Sequence, residues 1–207
     1  MHLVERAKNI ILSPGSEWDV IKDEDTSIAD LYKQYVLPLA AIPAVSQTIG
    51  MAAVGMTMPF AGTVRLGWGA AITHGILNYA IALIGVFVIA LVIDALAPAF
   101  GGQKNLNQAV KVTAYAWTPG WLGGIFTLVP MLGILGLLAS LYGLYLLYLG
   151  LPRLMASPRD KAVGYTLVVI VCAIVVMIVL GIVVNVIAGP TMPMADMPQI
   201  NIQIPAQ

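Results

Sequence analysis

The chain has 207 residues, of which 59% are hydrophobic and only 10% are charged. Because charged residues make up about 25% of an ordinary soluble domain, this composition excludes a soluble globular protein and a disordered chain. Ten basic residues balance ten acidic ones, which argues against nucleic-acid binding, and a single cysteine excludes a disulfide framework. The composition therefore predicts an all-α integral membrane protein without a nucleic-acid partner.

Residues 1–33 form a predicted segment that precedes the membrane domain. Apolar residues of the string LVERAKNII, residues 3–11, share one helical face, and Arg6 lies on the polar face. A short amphipathic helix of this kind next to a membrane lies in its interface. Pro14 then begins a second helix that carries Trp18, which we expect at the depth of the lipid headgroups.

Five apolar stretches are long enough to cross a bilayer, which takes about 20 helical residues. They are Tyr35–Met56, Gly69–Leu96, Ala109–Leu128, Met131–Leu149 and Val163–Ile187. Together they make up a predicted five-helix transmembrane bundle over residues 34–188. Ser27 and Asp30 have the spacing of a capping box before the first stretch. Only residues 129–130 separate the third stretch from the fourth, which predicts a tight hairpin.

The positive charges lie almost entirely on one side of these spans. Nine of the ten Lys and Arg residues precede the first span or lie in the connections after the second and fourth, whereas Arg65 lies on the other side. Because positive residues concentrate in cytoplasmic loops, we expect a cytoplasmic N-terminus and an external C-terminus in a bacterial inner membrane. The Met- and Pro-rich tail, residues 189–207, is then extracytoplasmic.

Polar residues within the spans are candidate functional residues, because they are costly to place in a membrane. Asp94 and Lys111 stand at the facing ends of spans two and three, which predicts an ion pair or, alternatively, a proton or cation site. Tyr142 lies deep in span four, so its hydroxyl needs a protein partner, for which Tyr115 is the candidate.

A second set of polar residues lies nearer the outer side. His74 and Asn78 are one helical turn apart, which predicts hydrogen bonds to Ser46 or Gln47 on span one. The alternative is a metal or substrate ligand at His74. Asn185 on span five is placed to join the same polar layer.

Glycine and proline in span three predict both close packing and a bend. Gly120 and Gly124 have the spacing that allows two helices to approach closely. Pro119 removes one backbone hydrogen bond, so we expect a kink at this position.

Methionines are concentrated on the predicted outer side. Met56 and Met58 follow span one, and Met192 and Met194 lie in the tail. Thioethers are soft ligands that suit Cu(I), so a copper site that includes His74 is one interpretation. The alternative is that these flexible side chains only pack against lipid or a partner.

Four strings in order, ILSPGSEWDVI, DLY, FGGQKNLNQAVKVTAYAWTPGWL and LYGLYLLYLGLPRLM, resemble the bacterial branch of the Yip family, the Ypt/Rab-interacting-protein-like membrane proteins. The resemblance covers nearly the whole chain. The matching motif residues are Pro14, Trp18, Asp30, Leu31, Tyr32 and Pro119. Lys33 and Gln34 stand where eukaryotic members continue DLY with Gly-Pro. The resemblance implies a five-span fold with the N-terminus inside and brings no catalytic residue.

No HExxH, GxSxG or paired intramembrane acids occur in the sequence, which argues against an enzyme. We therefore expect a non-enzymatic membrane protein that organises lipids or partner proteins, with no obligatory cofactor. Self-association fits the Gly-rich helix faces. The alternative function is a small transporter or an extracytoplasmic protein that handles Cu(I).

Overall fold

The computed structural model describes residues 2–58 and 62–188, most of which are helical. The described residues form nine α-helices, which are α1 (Leu3–Leu12), α2 (Pro14–Asp23), α3 (Ile28–Leu31), α4 (Leu37–Ile49), α5 (Trp68–Leu96), α6 (Leu106–Ala116), α7 (Thr118–Gly123), α8 (Gly133–Leu154) and α9 (Ala162–Ala188). The π-helical turn Tyr32–Val36 joins α3 to α4, and a second one, Gly50–Val54, extends α4. The strands β1 (Met56–Met58) and β2 (Gly62–Val64) pair antiparallel.

Four segments of the described chain are long and apolar enough to cross a membrane, and they confirm an all-α membrane bundle. They are Ile28–Val54, Trp68–Phe100, Gly133–Leu154 and Arg159–Ile187. The predicted span Ala109–Leu128 is not among these four, and the structure divides it into α6, α7 and the 3₁₀ segment Gly124–Leu128. The break falls at Trp117, because Pro119 lacks the N–H that would continue the helix.

Helix α6 lies between α5 and α8. All eight residues from Ala109 to Ala116 are buried. Helix α5 also packs on α4 and α9, and α8 also packs on α7 and α9. Helix α6 is therefore enclosed largely by other helices of the protein.

Helix α9 lies at the periphery of the bundle. Only 11% of its most apolar stretch is buried, compared with 33% for Trp68–Phe100. Val171, Ile174, Val175 and Ile178 are exposed on its surface. Because an apolar surface of this extent is unfavourable in water, it is covered by the acyl chains of the bilayer.

The first candidate span begins at the predicted capping box. The Asp30 N–H donates to Ser27 Oγ at 3.1 Å, and that hydroxyl donates to Asp30 Oδ2 at 2.6 Å. Leu31 is buried, and the Tyr32 hydroxyl donates to the Leu83 carbonyl at 2.9 Å. The string DLY therefore holds the start of this span against α5.

Helices α7 and α8 form the tight hairpin that the short connection predicted. A Cβ atom on Gly120 would lie 3.0 Å from Ser140 Oγ of α8. A Cβ atom on Gly124 would lie 2.5 Å from Pro43 Cβ of α4. Both glycines therefore allow the close approach between helices that their spacing predicted.

The N-terminal helices α1 and α2, which we call the arm, fold back onto the bundle. Helix α1 contacts α7, and α2 packs along α8. The buried face of α1 differs from the predicted one, because Val4 is 75% exposed whereas Arg6 is 2% exposed. Trp18 is fully buried, so its indole packs against protein and not against lipid headgroups. Protein packing, rather than a lipid interface alone, determines how the arm is placed.

Candidate functional site

A buried cluster of charges fastens the arm. Arg6 Nη1 donates to Glu17 Oε1 at 2.6 Å, and Arg6 Nη2 donates to Glu24 Oε2 at 2.5 Å. The guanidinium also lies 5.5 Å from the centre of the Tyr115 ring. The Arg6 and Glu17 side chains are 3% and 8% exposed, whereas Glu24 keeps 31%. Because a buried charge without its partner is costly, this cluster favours one position of the arm on α6.

Lys111 binds the end of α2 rather than Asp94. Its ammonium group donates to the Ile21 carbonyl at 3.1 Å and also to the Glu24 carbonyl. These carbonyls lie at the C-terminal end of the α2 dipole, where a positive charge is favourable. Asp94 Oδ1 is buried without a hydrogen-bond partner in the described part of the chain. The predicted ion pair between Asp94 and Lys111 is therefore wrong.

Aromatic residues pack beneath the arm. The Trp18 and Tyr115 rings meet edge to face at 6.2 Å, and Tyr115 meets Tyr35 at 4.7 Å. The Tyr35 hydroxyl lies 2.7 Å from Thr118 Oγ1, within hydrogen-bond distance. Gly150 leaves room for the indole, because a Cβ atom there would lie 2.8 Å from Trp18 Cζ2. The structure thus brings together Trp18 and Tyr115, two of the residues selected from the sequence.

Tyr142 has a different partner from the predicted one. Its hydroxyl donates to the Ile11 carbonyl at 2.7 Å, close to the end of α1. Tyr115 takes part in the aromatic packing below Trp18 instead. The predicted contact between Tyr142 and Tyr115 is therefore wrong, although Tyr142 does have the protein partner that its depth requires. Pro119, the remaining motif residue, is buried in α7.

A cavity of about 430 Å³ lies between α4, α5, α6, α7, α8 and α9. Small residues on facing helices create it, among them Ala40, Ala82, Gly120 and Gly143. The indoles of Trp117 and Trp121 and the side chain of Met177 form other parts of its wall. No charged side chain of the described chain lines it. Four of these six helices belong to candidate spans.

Two amide side chains, Gln47 of α4 and Asn78 of α5, line this cavity. Gln47 is exposed and Asn78 is half-buried, and neither makes a hydrogen bond to another described residue. An unpaired amide is costly in an apolar environment, where water does not satisfy its donors and acceptors. These two groups are therefore the polar part of the candidate site. The sequence predicts Asn78 as a candidate functional residue and Gln47 only as a hydrogen-bond partner for His74 and Asn78.

The predicted polar layer does not form around them. His74 is buried, but it does not line the cavity and makes no hydrogen bond to Ser46 or Gln47 in the described structure. The Asn185 side chain is exposed and donates to a carbonyl of its own helix at 2.9 Å. Of the outer polar residues, Asn78 and Gln47 alone share a cavity in the part of the chain that the structure describes.

A second cavity of about 400 Å³ adjoins the first, between α5, α6, α8 and α9. The two cavities share Trp117, Leu144, Leu147 and Met177 as wall residues. The remainder of the second wall is almost entirely aliphatic. Its one hydroxyl, on Thr113, donates to a backbone carbonyl of its own helix at 2.9 Å. An amide-bearing cavity and an apolar cavity therefore lie side by side.

Most side chains of the proposed copper ligands lie outside the described part of the structure. Met192 and Met194 lie outside the described residues, and the structure describes only the backbones of Met56 and Met58, in β1. Among the described residues, no group of three or more His, Cys, Asp or Glu side chains is placed to hold a metal ion. A copper site that includes His74 therefore stays a prediction.

Comparisons with known proteins identify the family of the chain. Residues 8–180 match the Yip1 domain, a stretch that includes the end of α1 and all the cavity-lining residues. The chain is similar to the inner membrane protein YohC of Escherichia coli strain K12 and of E. coli O6:H1 strain CFT073. Each is 28% identical over 156 residues, which cover 74% of this chain and 80% of the relative. No solved structure matches the chain.

Proposed function

The chain belongs to the Yip1 domain family, and on that premise we propose that it is a non-enzymatic inner-membrane protein that organises membrane lipids. The observation that carries the proposal is the cavity of about 430 Å³ between spanning helices, lined by the unpaired amides of Gln47 and Asn78. Concave sites with an apolar wall and a few polar groups are typical of small-molecule binding. In a bilayer, lipid is the molecule present at the highest concentration around such a site.

The chemistry of the wall supports binding rather than catalysis. The polar groups of the cavity are neutral amides and the Ser140 hydroxyl, which donates to the Gly136 carbonyl at 2.9 Å. Nucleophilic catalysis needs a base within hydrogen-bond distance of the nucleophile. The charged groups of the arm, Arg6, Glu17 and Glu24, bind one another instead of facing the cavity.

The proposal includes five crossings, with the N-terminus in the cytoplasm. The divided segment from α6 to Leu128 is the fifth crossing. At one end, the Gln103 N–H donates to the carbonyl of Met155, just past α8, at 2.8 Å. At the other, a Cβ atom on Gly50 would lie 3.0 Å from the Leu128 carbonyl oxygen. The segment thus connects opposite ends of the bundle, and the nine positive residues on the arm side favour a cytoplasmic arm.

Native mass spectrometry of the protein released in a mild detergent tests lipid binding. Ala82 lines the cavity, whereas Ala80 on the same helix is exposed and does not line it. We expect the wild-type protein and Ala80→Phe to retain a lipid that Ala82→Phe loses, because the phenyl group occupies the cavity. Thermal unfolding of both variants serves as the folding control. Retention of no lipid by the wild type, or equal retention by a folded Ala82→Phe protein, would contradict the proposal.

The same spectra report the oligomeric state. A dimer mass in the wild-type protein would support the predicted self-association, and its loss on dilution would give the strength of that association. A partner protein is a separate part of the proposal, and copurification from membranes at low detergent tests it.

A further inference from the structure

We infer that the two adjoining cavities form one site for an uncharged glycerolipid with a free hydroxyl group, a diacylglycerol. Its glycerol head binds the amides of Gln47 and Asn78, one acyl chain enters the apolar cavity beside α9, and the second chain stays in the bilayer. This inference rests on the proposed function, because it names the class of lipid that the cavity takes.

The walls exclude a charged headgroup. No lysine, arginine, aspartate or glutamate lines either cavity in the described structure. A phosphate or ammonium group placed there would lose its hydration without gaining a counterion, and that cost is large in an apolar environment. An uncharged head meets no such penalty.

The amides require a ligand that both donates and accepts hydrogen bonds. Each amide of Gln47 and Asn78 carries two N–H donors and one carbonyl oxygen, and all are free of protein partners in the described residues. The ester carbonyls of a diacylglycerol accept from the N–H groups, and its hydroxyl donates to an amide oxygen. A quinone head carries acceptors only, so it leaves both amide oxygens unpaired.

The second cavity provides the place for an acyl chain. It shares Trp117, Leu147 and Met177 with the amide-bearing cavity, so a ligand reaches from one into the other without leaving the wall. Ile174 and Ile178 line this cavity and are also 55% and 57% exposed on the outside of α9. The acyl chain therefore has a route to the surrounding bilayer along α9.

Quenching of tryptophan fluorescence measures this binding in the full-length protein. Trp117 and Trp121 line the amide-bearing cavity. The probes are a diacylglycerol with brominated acyl chains and a phosphatidylglycerol with the same chains, added to detergent micelles at increasing mole fraction. We expect the diacylglycerol to reach half-maximal quenching at a mole fraction about tenfold lower, since one unpaired polar or charged group costs that much or more.

Variants separate the head contact from general lipid binding. Gln47→Leu and Asn78→Leu replace the amides with branched apolar groups of similar shape, and each is expected to raise the half-quenching mole fraction of diacylglycerol severalfold. Asn185→Leu is the matched control, because that exposed amide bonds its own helix and lies outside both cavities. Since each amide is changed separately, the test stands even where one variant does not fold.

The outcomes distinguish the two proposals. Equal quenching by both lipids, no effect of either amide variant, or tighter competition by a decyl-chain quinone overturns the inference about the head. If Ala82→Phe still abolishes lipid retention in that case, the proposed function stands without it. If Ala82→Phe changes neither retention nor quenching, both fail.

Discussion

Replacing Arg6 with methionine is expected to release the arm from the bundle. The guanidinium is the partner of two carboxylates, and the one on Glu17 keeps only 8% of its side-chain surface exposed. Methionine fills a similar volume but leaves that carboxylate buried without a counterion. Breaking one partner of a buried ion pair typically costs about 3–5 kcal/mol. Glu24, at 31% exposure, regains solvation from water and adds little to this cost.

Hydrogen–deuterium exchange of the arm in detergent measures this cost directly. A loss of 3 kcal/mol in the free energy of local opening corresponds to exchange that is about 100-fold faster or more. We expect the acceleration in peptides from α1 and α2, with little change in α5 or α9. Lys8→Met is the matched control, because Lys8 is exposed on the same helix.

A double variant tests the electrostatic reason itself. Arg6→Met combined with Glu17→Leu removes both buried charges, and such replacements are often neutral for stability. We therefore expect exchange in the arm to return most of the way to the wild-type rate. The reasoning is refuted if Arg6→Met accelerates exchange less than about threefold, or if the double variant exchanges as fast as the single one.

Three further perturbations follow from single contacts. Gly150→Ala places a Cβ atom 2.6 Å from a valine methyl group and is expected to destabilise the fold by about 1–3 kcal/mol in thermal unfolding. Gly181→Ala is the control, because a Cβ atom there meets nothing within 4 Å, and we expect the thermal stability of this variant to be unchanged or higher. Equal losses of stability in the two variants would contradict this reasoning. Tyr142→Phe loses the bond to Ile11 and is expected to cost about 0.5–1.5 kcal/mol, seen as faster exchange at the end of α1. Lys111→Met leaves two carbonyls at the end of α2 without their hydrogen-bond donor, and we expect it to lower the local free energy of opening by about 1–3 kcal/mol. Unchanged hydrogen exchange at the end of α2 would contradict this contact.

Hydropathy identified the four candidate spans because their length and composition are unmistakable. The structure divides the stretch Ala109–Leu128, and hydropathy does not show this division, because burial in protein and burial in lipid select the same apolar residues. Pro119 marked the correct region of the break, which falls two residues earlier, at Trp117. The strings around Trp18 and Tyr32 also identified the family correctly, as the Yip1 domain match confirms.

The position of the arm was not predictable from local patterns. Arg6 lies on the polar side of a short amphipathic helix, and the natural expectation is that water covers it. Its partner Glu17 is 11 residues away on a different helix, so no helical spacing relates the two. The sequence predicts an ion pair between Lys111 and Asp94, because unlike charges near one end of a bundle attract. Backbone carbonyls at the end of α2, which the sequence does not display as acceptors, bind it instead.

The cavities have only a partial signature in the sequence. Asn78 is conspicuous because an amide within an apolar span needs an explanation. The empty volume arises because alanines and glycines of several helices face one another, and that alignment depends on helix rotation. Trp117 and Trp121 also form part of the cavity wall. Apart from their position close to Pro119, nothing in the sequence predicts this role.

Photo-crosslinking in intact membranes tests the central claim, that lipid occupies the space inside the bundle. Membranes that contain lipids with a photoactivatable acyl chain are irradiated, and labelled residues are identified by peptide mass spectrometry. Leu147 lines both cavities but is only 7% exposed, whereas Val171 is 61% exposed on α9. We expect label at Leu147 that disappears in Ala82→Phe. Label confined to outward residues such as Val171, with none at Leu147, would contradict it.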